Sequence, residues 1–178
     1  MIVSFCMLEA VDLLGSFVRA FYASSALGAV RGNSQAITCS RSFSDTAAAF
    51  AYAAAWKFLR RRRGGAPPPY RRENEPAWHR LDNIRNLAND LKLSNEATIL
   101  LALARAGGSI NDLITLRNYF AHRNEETKAL TVGVLYKYAI TPSESVEVSI
   151  CQLVPTLSVY LIELLLTDLH DTIDLMAR

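Results

Sequence analysis

Apolar residues recur at Met7, Val11, Leu14, Val18 and Phe21, an alternation of four and three that lines one face of a helix. The spacing predicts a helix over 3–30, stopped by Gly32-Asn33-Ser34. A second helix is expected from about Ser44, with Ser44 or Asp45 as its cap, through an Ala-rich stretch to Arg62. Gly64-Gly65-Ala66-Pro67-Pro68-Pro69 ends it, because three prolines cannot continue a helix, and 64–77 reads as an extended, exposed linker. Beyond Pro76 the pattern predicts helices over 77–91 and from Ser94 to Ala106, the latter stopped by Gly107-Gly108. Ser109 then caps a helix that runs into Arg117–His122, and another follows over 125–138. Thr141-Pro142-Ser143 makes a turn, and a last long helix extends to about Met176. Val146–Ile150 alternates like a strand, but it has no evident partner and is read as helix. No internal repeat is present.

Composition supports that pattern. Of 178 residues, Ala and Leu supply 24 each, and Gly and Pro together only 14. These numbers argue against disorder, collagen and a β-sandwich, and for an all-α chain with a sizeable core. The expectation is one helical domain over 1–178: N-terminal helices over 1–63, the linker over 64–77, and further helices over 78–178. Cys6, Cys39 and Cys151 are widely spaced and odd in number, which argues against a disulfide framework or zinc ribbon and points to a reducing cytoplasm. The first fourteen residues lack a basic start and contain Glu9 and Asp12, unlike a secretory signal. The longest apolar run, near Leu153–Leu166, contains Pro155 and Glu163 and falls short of the roughly 20 residues of a membrane span. A buried helix, with no membrane partner, is expected there.

The net charge of +2 conceals a division. Residues 1–72 carry +7 and residues 73–178 carry −5, and fifteen of the nineteen basic residues are Arg. Arg grips phosphate with two parallel hydrogen bonds.

Arg117-Asn118-Tyr119-Phe120-Ala121-His122 carries the candidate chemistry. Ile110, Leu113 and Ile114 share an apolar phase with Arg117, so a guanidinium stands where a hydrophobe is expected. It needs a polar partner, a cleft or another subunit, because burying it unpaired is costly. Asn118 and His122, four apart, share a helix face. Arg117 and His122 are separated on a straight helix by roughly 140° and about 7.5 Å along the axis. A bent helix end, or two copies meeting across a two-fold axis, would bring both groups to one phosphate.

These residues resemble the HEPN superfamily (higher eukaryotes and prokaryotes nucleotide-binding), helical proteins whose hallmark is Arg, four to six residues, then His, with a polar residue after the Arg. The match covers about ten residues, with a compatible helical context over 78–178. The resemblance implies an up-and-down helical bundle, here with a basic Pro-rich loop, working as a homodimer. It also implies a metal-independent endoribonuclease that needs no cofactor. His122 would act as general base on an RNA 2′-hydroxyl or general acid on the 5′-leaving oxygen. Arg117 would hold the scissile phosphate, and Asn118 would orient His122 or bond the phosphate. Small members act in toxin–antitoxin or defence settings, so an antitoxin or regulatory protein is a further expected partner. In one toxin branch a modified Tyr stands two residues after the His; here that position is Asn124, so that control does not carry over. The competing reading is a non-catalytic helical module that binds a nucleotide or RNA, or serves as an adaptor.

Lys57, Arg60, Arg61, Arg62, Arg63, Arg71 and Arg72 place seven positive charges in residues 57–72 without an acid. They suit an RNA backbone, or equally a solvated helix end whose cations complement the macrodipole; anionic lipid is a third reading. Arg123 is a further candidate RNA contact. His79 and His170 lack ligand-spaced partners and read as structural, and no metal site is expected. Arg85-Asn86 repeats the Arg-Asn pair without a following His. Asp168, Asp171 and Asp174 read as a solvated face. Gly107-Gly108 lacks the surroundings of a phosphate loop.

Overall fold

The computed structural model describes residues 2–32, 34–61, 65–143 and 145–178, excluding the side chain of Arg61. About two-thirds of the described residues are helical, in seven α-helices and one short 3-10 turn, with one two-stranded hairpin. The all-α expectation is met.

Helix α1 runs Ile2–Ala26 and buries Met7, Val11, Leu14 and Val18 as the spacing predicts. Its stripe ends on fully buried Tyr22; Phe21 is only half-buried. The helix stops at Gly28, four residues before the expected Gly32, because Gly28 adopts φ +80° and closes the last turn onto the Ser25 carbonyl at 3.2 Å. Helix α2 (Thr46–Arg61) is capped by Asp45, whose Oδ1 accepts from the Ala48 amide at 2.8 Å. Of the expected linker, Gly65 to Arg71 is exposed and irregular, but its far end is not. A 3-10 turn at Arg72–Asn74 delivers Glu75 and Pro76 into the protein, both buried. Helix α3 (Leu81–Asp90) starts four residues later than expected, after a turn that buries Trp78.

The largest departure is α4, one continuous helix from Glu96 to His122. Gly107-Gly108 does not stop it, and Ser109 caps nothing. A mid-helix glycine is disfavoured by only about 1 kcal/mol, whereas the buried series Ile99, Ala102, Ala106, Ile110, Leu113, Leu116 and Phe120 spans the glycine pair on one face. Joined in this way, α4 is long and apolar enough to cross a membrane by length and composition, with a mean hydropathy of 1.3 over its most apolar window. The core helix of a soluble protein meets the same criterion.

Helix α5 (Glu125–Lys137) follows as expected, and Val146–Ile150 forms the short helix α6. The long final helix is shortened: Leu153–Val154 (β1) and Val159–Tyr160 (β2) pair antiparallel around Pro155, and α7 covers only Leu161–Ala177. Proline near the start of the apolar run favours a turn over a helix there.

The chain forms two compact units, Met1–Leu14 with Ala104–Asp174, and Gly15–Leu103 with Leu175–Arg178. The first has a core of Leu14, Ile110, Leu113, Leu116, Leu135, Ile150, Leu161 and Leu165. The second is built on Tyr22, Phe50, Trp78, Ile84, Leu87 and Leu91. There Tyr22, Phe50 and Trp78 pack ring against ring, with centroids 5.0–6.3 Å apart, and the Tyr22 hydroxyl donates to the Ala49 carbonyl at 2.9 Å.

Candidate functional site

Arg117 lies one turn beyond buried Leu113 and beside buried Leu116, so its stem is drawn toward the core of the first unit, leaving its side chain 27% exposed. The partner that its phase demanded is Asp12 on α1, whose Oδ1 stands 3.8 Å from Arg117 Nη2. That separation is an ion pair but too long for a hydrogen bond. Arg117 Nε is buried and has no hydrogen-bond partner among the described residues. The guanidinium is held at the edge of the core, with its Nε lacking an acceptor among the described residues.

Asn118 is half-buried, and exposed His122 is the last residue of α4. The helix ends there for a local reason. Arg123 takes a left-handed φ of +44°, with its amide bonded to the Tyr119 carbonyl at 2.7 Å. Asn124 then starts α5 through a reciprocal cap: its Oδ1 accepts from the Thr127 amide at 2.8 Å, and its own amide donates to Thr127 Oγ1 at 3.3 Å. His122 thus sits at a tight, hydrogen-bonded joint between two helices. Asn118 and His122 share a face as the sequence predicts, while Arg117 occupies the adjoining one. A neighbouring cavity of about 270 Å³, lined by Tyr119, Arg123, Lys128 and Ser149, does not include Arg117 or His122. Arg123 itself is exposed and pairs with Glu147 at 3.6 Å.

The basic segment belongs to the second unit. Arg60 is exposed and lies over the Trp56 ring at 5.0 Å. Arg61 ends α2; Arg62 and Arg63 lie outside the described residues. Arg71 and Arg72 are exposed, Arg71 near Glu73 at 3.7 Å. No group of three or more His, Cys, Asp or Glu among the described residues is placed to hold a metal. His170 is exposed with Asp171 Oδ1 at 3.6 Å, and Asp171 pairs with Arg105 at 3.8 Å.

Sequence reasoning missed a polar cluster centred on Glu75. Arg19 Nε and Nη2 donate to its two carboxylate oxygens at 2.7 and 2.9 Å. The Tyr70 hydroxyl and the Trp78 indole donate to the same carboxylate at 2.6 and 2.8 Å, and Lys57 Nζ donates to the Glu75 carbonyl at 2.6 Å. Burial alone would push this carboxyl up; the donations from Arg19, Tyr70 and Trp78 outweigh it and hold it below the usual glutamate range.

The chain matches no family model, no curated protein and no solved structure.

Proposed function

We propose that the chain is a metal-independent endoribonuclease of the HEPN kind, acting on RNA in the cytoplasm as a homodimer. Its activity is that of a toxin or defence effector held in check by a protein partner. The observation that carries the reading is Arg117: a guanidinium at a core-facing phase, with one long ion pair and an unpartnered Nε among the described residues, five residues before an exposed histidine at a helix end. The part-exposed end of this guanidinium, held to Asp12 only at 3.8 Å, can turn to an anion whose charge grows during reaction.

In this reading the RNA 2′-oxygen attacks phosphorus and the bond from phosphorus to the 5′-oxygen breaks. The base takes the 2′-hydroxyl proton, the acid supplies one to the departing 5′-oxygen, and the products are a 2′,3′-cyclic phosphate and a 5′-hydroxyl. His122 serves one of these proton transfers, Arg117 braces the phosphate, and Asn118 orients the imidazole or the phosphate. The roughly 140° between Arg117 and His122 on one helix favours a composite site made by two copies.

The test incubates purified protein with RNA in EDTA beside His122→Ala and Arg117→Ala, with circular dichroism and thermal melting to establish folding. Cleavage by the wild type that both folded variants lose, by at least about 100-fold, supports the reading. An inert wild type that still binds RNA overturns it in favour of the binding module. Sedimentation as a monomer at micromolar concentration overturns the composite site.

A further inference from the structure

A second set of side chains, untouched by the Arg117–His122 reading, converges on the second unit. Tyr52, Trp56 and Arg60 stand at intervals of four along α2 and form one stripe. The stripe lines one wall of an open groove of about 590 Å³, whose other walls include Arg41 and, from α3, Asn86, Asn89 and Asp90. Two guanidinium groups lie over two aromatic rings: Arg41 over Tyr52 at 4.8 Å and Arg60 over Trp56 at 5.0 Å. The Tyr52 hydroxyl donates to Asp90 Oδ2, which ties α2 to α3 beside the groove. Burial, then the neighbouring Asp90 carboxylate, pushes that hydroxyl up to about 12, so it stays a donor.

Each component has a distinct recognition chemistry. Indole and guanidinium planes stack on the flat face of a nucleobase. Two arginines against one carboxylate give the groove a positive balance suited to phosphate. The two Asn amides each offer a donor and an acceptor, the pairing that base edges present. An open groove, unlike a closed pocket, admits a strand whose bases are already unstacked. Nothing of this kind suits a duplex, whose base faces are covered.

We propose that this groove binds single-stranded RNA: a base stacks on Trp56 as exposed Arg60 moves from the ring to a flanking phosphate, and Arg41 holds a second phosphate. The inference takes its RNA partner from the reading above and rests on no step of cleavage. It gives Arg60 a defined task apart from the rest of the basic run.

The test uses the full chain and a labelled 2′-O-methyl oligouridylate of about eight nucleotides, within the usual single-strand site size, which 2′-hydroxyl attack cannot cut. Fluorescence anisotropy reports binding, and quenching of the indole emission that Trp56→Phe removes reports stacking. Trp56→Leu is expected to weaken binding about tenfold or more, while Trp56→Phe, which keeps a ring, stays within a few-fold. Arg60→Gln is expected to weaken binding and lower the slope of log affinity against log salt by about 0.7. Melting curves establish that each variant is folded. Wild-type affinity in folded Trp56→Leu overturns the proposal, as does equal affinity for duplex RNA. A mononucleotide binding as tightly as the oligomer overturns the strand assignment. The two readings fail separately: binding through Trp56 without any RNA cleavage sinks the ribonuclease and keeps the groove, and cleavage indifferent to Trp56 and Arg60 does the reverse.

Discussion

Arg19 and Arg117 are nearly equal in side-chain exposure, 29% and 27%, and each faces a carboxylate from a distant part of the chain. Their surroundings are nevertheless opposite. Arg19 makes a bidentate pair with Glu75 and lies 3.7 Å over the Phe50 ring, and Glu75 is saturated by Tyr70 and Trp78. Among the described residues, Arg117 has one ion pair, at 3.8 Å to Asp12, which is itself 66% exposed, and an unpartnered Nε. Burial therefore does not separate a structural arginine from a candidate functional one. The completeness of its hydrogen bonding does. A guanidinium locked in a bidentate pair holds a fold together, and one paired only at long range is freer to meet a ligand.

Exchanging the two substitutions is the hardest test of this contrast. Arg117→Gln is expected to lower RNA cleavage by about 100-fold or more with a melting temperature near that of the wild type. Arg19→Gln is expected to leave cleavage at 20 °C unchanged but to destabilise by about 3 kcal/mol, because Glu75 keeps its burial and loses its cation, lowering the melting temperature by roughly 6–12 °C. A large thermal loss in Arg117→Gln, or none in Arg19→Gln, breaks the comparison.

Acid sharpens it. The Glu75 carboxyl is depressed in the folded state, so its contribution to stability is complete above the ordinary glutamate value, about 4.3. It is lost as pH falls through the lower folded value. Denaturant titrations between pH 7 and pH 3 should therefore show a steeper acid loss in the wild type than in Glu75→Gln. Equal losses would remove Glu75 from the account.

The smallest expected effect concerns the helix that carries Arg117. A Cβ at Gly107 meets nothing within 4 Å, so Gly107→Ala should stabilise α4 by about 0.5–1 kcal/mol and raise the melting temperature by roughly 1–4 °C. A fall would contradict an unbroken helix at that point.

The sequence made some of this legible and hid the rest for physical reasons. Periodicity located Met7, Val11, Leu14 and Val18 in the core because each repeats a local geometric rule. Asp45 was readable as a cap, since capping depends on residues three apart. Gly107-Gly108 misled because glycine is a weak helix stop when burial on both sides favours continuation. The β1–β2 hairpin was obscured by an apolar run that suits strand and helix alike. In the candidate site, the shared face of Asn118 and His122 follows from spacing, but Asp12 as the partner of Arg117 does not, because that contact joins residues far apart in the chain. The Glu75 cluster was hidden in the same way: Arg19 lies 56 residues from the carboxylate it binds.

That cluster also limits how the sequence can drift. Three side chains converge on one carboxylate, so replacing Glu75 strands the Arg19 cation, and replacing Arg19 strands the Glu75 anion. Each single step leads downhill, although exchanging the pair together for well-packed apolar residues is often neutral or better. Two simultaneous changes are rare, and descendants of this sequence are expected to keep Arg19 and Glu75 as a linked pair across divergence that would scramble the exposed residues between Gly65 and Arg71.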